Sequence, residues 1–255
     1  MNRFLVLFVI ALGLSGCSFE NKEQKAQELI NKSIKAYGQQ YFQNSAITFV
    51  FRDRNYTANR TPEKYTYTRS FNDSLGYVKD ILINSSDFTR TVNGDTMALD
   101  EEWTNKYKNA LNSVLYFVQV PYVLNDPAVQ KKYKGTINIA GFDYHAIQVT
   151  FSTENGGEDY DDEFYYWINA KNFMVDYFAY KYSTDGGGVR FREAFHRHEK
   201  KGIIFQNYIN YKAPLDVPLS ELPKLFETDQ LEELSRIEQE RVQVFRKKNT
   251  ANPKS

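Results

Sequence analysis

One cysteine, three histidines and a formal net charge of zero in 255 residues exclude several functions at the outset. With Cys17 alone no intramolecular disulfide can form, so the fold has to rest on its core. No Gly-x-Ser-x-Gly elbow, phosphate-cradling glycine loop or His-Glu-x-x-His pair occurs in the chain. A balance of 32 Lys and Arg against 32 Asp and Glu supplies no bulk field to recruit nucleic acid. Long apolar stretches are missing as well. The run Phe4–Leu14 has eleven residues, well short of the roughly 20 that cross a bilayer as a helix.

What that run does fit is export. Arg3 gives it a positive start, and Leu14-Ser15-Gly16-Cys17 closes it with a branched residue and two small residues before a cysteine. This ending resembles the bacterial lipobox. The expectation is a lipoprotein signal peptide over 1–16, diacylation of Cys17 as the new N-terminus, and a lipidated tether over 17–23. Ser18, rather than Asp, resembles the sorting signal of outer-membrane lipoproteins. The predicted location is therefore the cell envelope, with the membrane reached through the lipid anchor and its side left open. Cleavage removes only Arg3 among the charged residues and leaves a net charge of −1.

Aromatic residues are plentiful, at 16 % with 19 Tyr and 19 Phe, and they follow two periods. Between Gly141 and Tyr211 five strand-length segments succeed one another with turn residues between them: 144–151, 163–168, 173–182, 189–198 and 203–211. A second meander precedes it, with strands over 46–51, 64–71, 76–83, 88–92 and 96–99; Asn93-Gly94 is a hairpin signal. Helical spacing appears before the first meander, where Ala26, Leu29, Ile30, Ile34 and Tyr37 recur, Asn21 suits the start and Gly38 the end. It returns between the meanders, with Trp103, Tyr107, Ala110, Leu111, Val114 and Phe117 or Val118 on one side, Asp100 to Glu102 at the start and Pro121 as the stop. A short helix is predicted over 127–133, a charged helix over 229–247 with Leu231, Leu234, Ile237, Val242 and Phe245 as its stripe, and a disordered tail over 248–255. The fold class read from this order is α+β. The predicted architecture is a curved antiparallel sheet of about eleven strands, an incomplete barrel, with helices covering its concave side over residues 24–228.

This order resembles the lipoprotein-localisation (LolA/LolB-like) superfamily over about residues 21–212. The closest local matches are Gly141-Phe142-Asp143-Tyr144 leading into Ile147, Val149 and Phe151, then Tyr166-Trp167-Ile168-Asn169 followed by Met174 and Val175, and Gly202-Ile203-Ile204-Phe205. Asn169 stands where the relatives usually have Asp, and Gln206 where proline is frequent. The late Gly-Ile-Ile-Phe-Gln-Asn-Tyr segment looks like uncharacterised lipoproteins of the Bacteroidetes. The resemblance implies a cavity for acyl chains or another apolar ligand between sheet and helices, bound without turnover and without a cofactor. The candidate lining is Phe49, Phe51, Tyr65, Tyr67, Ile147, Val149, Phe164, Tyr166, Phe191 and Phe195, with Glu193 placed by alternation on the same face. The plain alternative is that these residues are core.

Other chemistries are weaker on their own residues. Glu193 with an Asp or His would be the acid and base of an envelope hydrolase. Aromatics gathered on a convex face would make a sugar platform. His196 and His198 share a strand side with Arg190 and Arg192, which argues against a metal and for solvent; the same strip, continued by Lys200 and Lys201, could meet anionic groups. The acidic loop 154–163 matches no EF-hand spacing. Asp73-Ser74-Leu75 and Asp95-Thr96-Met97 look like the short O-glycosylation motif of Bacteroidetes secreted proteins.

Overall fold

Tight hairpins set the architecture. Arg52-Asp53, Asn93-Gly94, Ala140-Gly141 and Lys201-Gly202 each place both central residues at positive φ, the turn geometry whose twist matches that of the flanking strands. The computed structural model describes residues 21–246 apart from 62, 85, 153–161, 184 and 185. The lipobox with Cys17, most of the acidic loop and the 248–255 tail lie outside the described residues.

Helix α1 (Lys22–Ala36) leads into a first meander of β1 (Ser45–Phe51), β2 (Arg54–Arg60), β3 (Tyr65–Asp73), β4 (Gly76–Ile83), β5 (Asp87–Val92) and β6 (Asp95–Thr96). Helix α2 (Glu101–Val118) follows. The second meander is β7 (Val129–Ile139), β8 (Phe142–Phe151), β9 (Glu163–Asn169), β10 (Val175–Tyr182), β11 (Gly188–Lys200) and β12 (Ile203–Ala213). A short helix α3 (Leu222–Glu227) and two strands, β13 (Glu232–Ile237) and β14 (Glu240–Arg246), complete the described chain. The strands form two antiparallel seven-stranded sheets, in the orders β14-β1-β2-β3-β4-β5-β6 and β13-β12-β11-β10-β9-β8-β7. They do not close into a barrel: β6 and β7 remain as edges, with α2 between them in the chain. The incomplete barrel is as the sequence implies, with more strands than the eleven expected.

Three sequence expectations are corrected. The charged helix predicted over 229–247 is instead β13 and β14. β13 pairs with β12, and β14 pairs with β1. The apparent helical stripe dissolves into alternation, with Val242 and Val244 buried and their neighbours exposed. Each of the two large sheets offers an unpaired edge there, and satisfying those backbone groups outweighs helix propensity. The helix predicted over 127–133 is the first turn of β7; Asp126 Oδ1 accepts from Ala128 N at 3.0 Å, a local turn bond rather than a helix cap. β2 was unforeseen, because its turn is Arg52-Asp53 rather than Asn-Gly and its only inward apolar residues are Tyr56 and Ala58.

The long helix α1 lies on the second sheet, and α2 reaches both sheets. Asn21 caps α1 by accepting from Glu23 N and Gln24 N, and Ala26, Leu29, Ile30 and Ile34 bury against Ile147, Val149, Ile168 and Val175 of the second sheet. Asp100 caps α2 by accepting from Trp103 N. Its Leu111 and Leu115 pack onto Phe49, Tyr67 and Leu82 of the first sheet, whereas Tyr116 and Phe117 lean on the second. A third cluster covers the outer face of the second sheet, where Leu219, Leu222 and Phe226 lie over Trp167, Tyr177, Ala179 and Phe191.

Candidate functional site

Alternation and register decide which side chains reach the space between the sheets. In the second sheet Val149 pairs with Phe164, Phe164 with Tyr180, and Tyr180 with Arg190. One row deeper Ile147 pairs with Tyr166, Tyr166 with Phe178, and Phe178 with Arg192. The inner face thus carries aromatics on β9 and β10 and arginines on β11. The phenol of Tyr166 is pushed well above its ordinary pKa by burial, and Arg192 pulls in the opposite direction.

α2 ends over this surface. Phe117 lies 5.6 Å from Phe178 and 5.3 Å from Tyr180, centroid to centroid, and Tyr116 lies 6.0 Å from Phe164. Phe151 joins from β8, edge-on to Phe164 at 5.7 Å. Tyr116, Phe117, Phe151 and Tyr180 are only half-buried, although they sit on the buried Phe164, Tyr166 and Phe178. Arg192 stacks on this group. Its guanidinium carbon is 3.9 Å from the Phe117 centroid, and Nη2 donates to the Tyr180 hydroxyl at 2.9 Å.

At the opposite end of the inner face a hydrogen-bond network joins the end of α1 to the second sheet. Tyr37, just past α1, donates to Gln206 Oε1 at 2.7 Å and accepts from Val175 N at 3.1 Å. Gln206 in turn donates to Tyr208 at 2.7 Å, and Arg197 joins Gln206 to Asp176 through bonds of 2.8 and 2.5 Å. Burial holds the Tyr37 phenol far above its usual pKa, so it is a neutral hydrogen-bonding hub. Gln206, standing where the resembled superfamily often has proline, is that network's centre. Asn169 caps the β9–β10 turn by accepting from Lys171 N and donates to Asp176.

The predicted lining divides. Phe49 and Tyr67, with half-buried Phe51 and Tyr65, face inward from the first sheet, and Ile147, Val149, Phe164 and Tyr166 face inward from the second. Burial raises the Tyr67 pKa to about 12, and its hydroxyl meets Gln119 Nε2 at 3.0 Å and Arg60. Phe191, Glu193 and Phe195 are on the other face. Phe191 stacks on Phe226 at 5.2 Å beneath the α3 segment, and Glu193 accepts from Tyr211 at 3.0 Å. Phe195 lies under the Arg236 guanidinium at 5.6 Å. Burial raises the Glu193 pKa, partly offset by that Tyr211 bond.

Glu193 therefore meets a phenol, on the side of the sheet away from the aromatic strip. His196 sits at positive φ in a bulge between Phe195 and His198, and no group of three or more potential metal ligands occurs among the described residues. The outer-face aromatics are covered, so they form no exposed sugar platform. Ser74 and Thr96 are exposed. Arg192, expected on a solvated strip, is instead 7 % exposed on the inner face; Phe117 was expected only as one of two residues completing the α2 stripe.

A model of a family of unknown function, DUF6503, matches residues 2–239. The chain belongs to that family. No curated protein matches the sequence of this DUF6503 chain. Among solved structures it is similar to a DUF1329 family protein from Desulfovibrio piger, with a TM-score of 0.52 at 7 % identity over 86 % of this chain and 92 % of that one. That likeness extends through both sheets and is one of fold. It is also similar to a LolA superfamily protein from Nitrosomonas europaea, with a TM-score of 0.44 at 13 % identity over 75 % and 87 % of the two chains. The Mycobacterium tuberculosis lipoprotein LppX matches with a TM-score of 0.29 at 13 % identity, over 65 % of this chain and 91 % of that one.

Proposed function

We propose that this DUF6503 protein is an envelope lipoprotein, anchored in the outer membrane through Cys17, that binds an apolar or amphipathic ligand between its sheets without chemical turnover. The observation that carries this reading is the half-buried aromatic strip of Tyr116, Phe117, Phe151 and Tyr180 where α2 ends over the second sheet. Large rings laid on a packed core, with their outer surfaces open, offer apolar area to a ligand where the core itself offers none. Phe164 and Tyr166 form the floor, Ile147 and Val149 continue it toward α1, and Phe49, Phe51, Tyr65 and Tyr67 form the wall across α2. Phe191, Glu193 and Phe195 belong to the outer face and are not part of the proposed site. The export signal and lipobox support anchoring by acyl chains, and no helix among the described residues is long and apolar enough to cross a membrane.

Native mass spectrometry of the protein purified from its own envelope, followed by organic extraction, tests the reading. A stoichiometric lipid or acylated peptide is the expected result. Protein that is empty and takes up no hydrophobic dye contradicts it.

A further inference from the structure

The arginines of the interior and its rim are treated unequally. Arg69 and Arg90 share Asp80, at 2.6 and 3.7 Å, and Arg197 has Asp176 at 2.5 Å. Arg192 forms no ion pair with any described residue, and its Nε has no hydrogen-bond partner. Its neighbour across the strands is Asn210, not a carboxylate. Arg190, two residues along on the same face, is half-buried; it donates to the Tyr182 hydroxyl at 2.7 Å and to the Val189 carbonyl, and it too lacks an ion pair among the described residues. Two cations thus stand at the end of an aromatic strip with no carboxylate paired to either among the described residues.

A buried guanidinium without a counter-charge is costly, and stacking on an aromatic ring offsets only part of that cost. The remaining demand is for an anion with oxygen acceptors, the group a guanidinium binds most strongly. The geometry points to an anionic subsite at Arg192 and Arg190 that receives the carboxylate or phosphate head of a single-chain amphipath, whose apolar chain lies along the half-buried Tyr180, Phe117, Tyr116 and Phe151. This deepens the proposed function and rests on it, since the chain site is the same aromatic strip. The guanidinium of Arg192 is the contact group, and the Tyr180 hydroxyl holds it in place.

The test uses the full chain in nanodiscs of zwitterionic phosphatidylcholine. Three diazirine-bearing probes of equal chain length are compared: a fatty acid, a lysophosphatidate and the primary alcohol. Saturable crosslinks are mapped to peptides. Labelling of the Phe117 and Phe178 peptides at concentrations at least tenfold lower for an anionic probe than for the alcohol is expected, with Arg192→Gln removing that preference while alcohol labelling persists. Preference for the acid or for the phosphate identifies the source of the head and supports the subsite either way. Equal labelling by all three, unchanged in Arg192→Gln, overturns the subsite and leaves the apolar site standing. No saturable labelling by any probe overturns the proposed function with it. Should Arg192→Gln fail to fold, Arg190→Gln at the half-buried position is read by the same ratio, with a fall of threefold or more expected and no change counting against the proposal.

Discussion

The two long helices do different jobs, although both are amphipathic, capped and laid on strands. α1 presents one stripe to one sheet, with Ala26, Leu29, Ile30, Ile34 and the following Tyr37 all at most 7 % exposed. It ends in a hydrogen-bonded hub of Tyr37, Gln206 and Val175. α2 divides its contacts, placing Leu111 and Leu115 on one sheet and Tyr116 and Phe117 on the other, and the second pair stays half-exposed. A helix that serves one surface can close it completely. One that serves two surfaces covers the second only in part, and in this molecule half-buried rings remain at its end. The α1 end is thus held by hydrogen bonds, and the α2 end is where the proposed ligand would lie.

Substitutions can break that division, and the largest effect is expected beneath the first half of α2. Asp80→Ala there leaves Arg69 and Arg90 buried without their carboxylate, and denaturant melts should register a loss of about 3–5 kcal/mol. Next comes the α1 end. Gly38 has φ +67°, and a Cβ on it would lie 1.8 Å from the carbonyl oxygen of Gly202; Gly38→Ala should cost about 3 kcal/mol through backbone displacement. Tyr37→Phe, which takes the hydroxyl acceptor from Val175 N and one of two donors from Gln206 Oε1, should cost about 1–3 kcal/mol by the same melts. Neither α1-end change should alter ligand uptake by the folded fraction.

Phe117→Ala sharpens the contrast from the other side. Because the ring is half-exposed, its stability loss should stay near 1 kcal/mol, below the 2–5 kcal/mol typical of a fully buried Leu such as Leu115. Dye or lipid uptake should nevertheless fall about tenfold, since an aromatic contact in a binding strip is lost. An equal loss of stability in Phe117→Ala and Leu115→Ala, with uptake retained, would erase the distinction.

The smallest effect concerns Glu193, outside both ends. Its pKa is raised in the folded protein by burial, so the folded state holds a proton that the unfolded state has released. Stability should therefore decline as pH rises from the ordinary glutamate range through the raised folded value. Glu193→Gln should flatten that slope in pH-dependent melts without changing ligand uptake.

Most of the fold was legible because strand alternation and helical stripes were strong where both occur. Asn21, Gly38, Asp100 and the five segments of the second meander were found from local chemistry alone. The C-terminal strands were not, because Leu231, Leu234 and Ile237 mimic helical spacing and only the two waiting sheet edges make the segment extended. The site was legible in part for a related reason. β11 alternates Val189 and Phe191 with Arg190 and Arg192, and an apolar set is expected to face the helices. Here the second sheet is covered on both faces, so Phe191 is buried under α3 while the arginines turn inward. Register with β10, not the sequence of β11, makes that choice.

Hydrogen exchange of the protein with and without its co-purified ligand tests the division between the two ends most directly. Binding at the α2 end predicts added protection in 111–118 and in the strands carrying Phe164, Phe178 and Arg192, with none in 26–37 or in the α3 segment. Protection spread evenly over both helices, or confined to the outer face around Phe191 and Phe226, would contradict it.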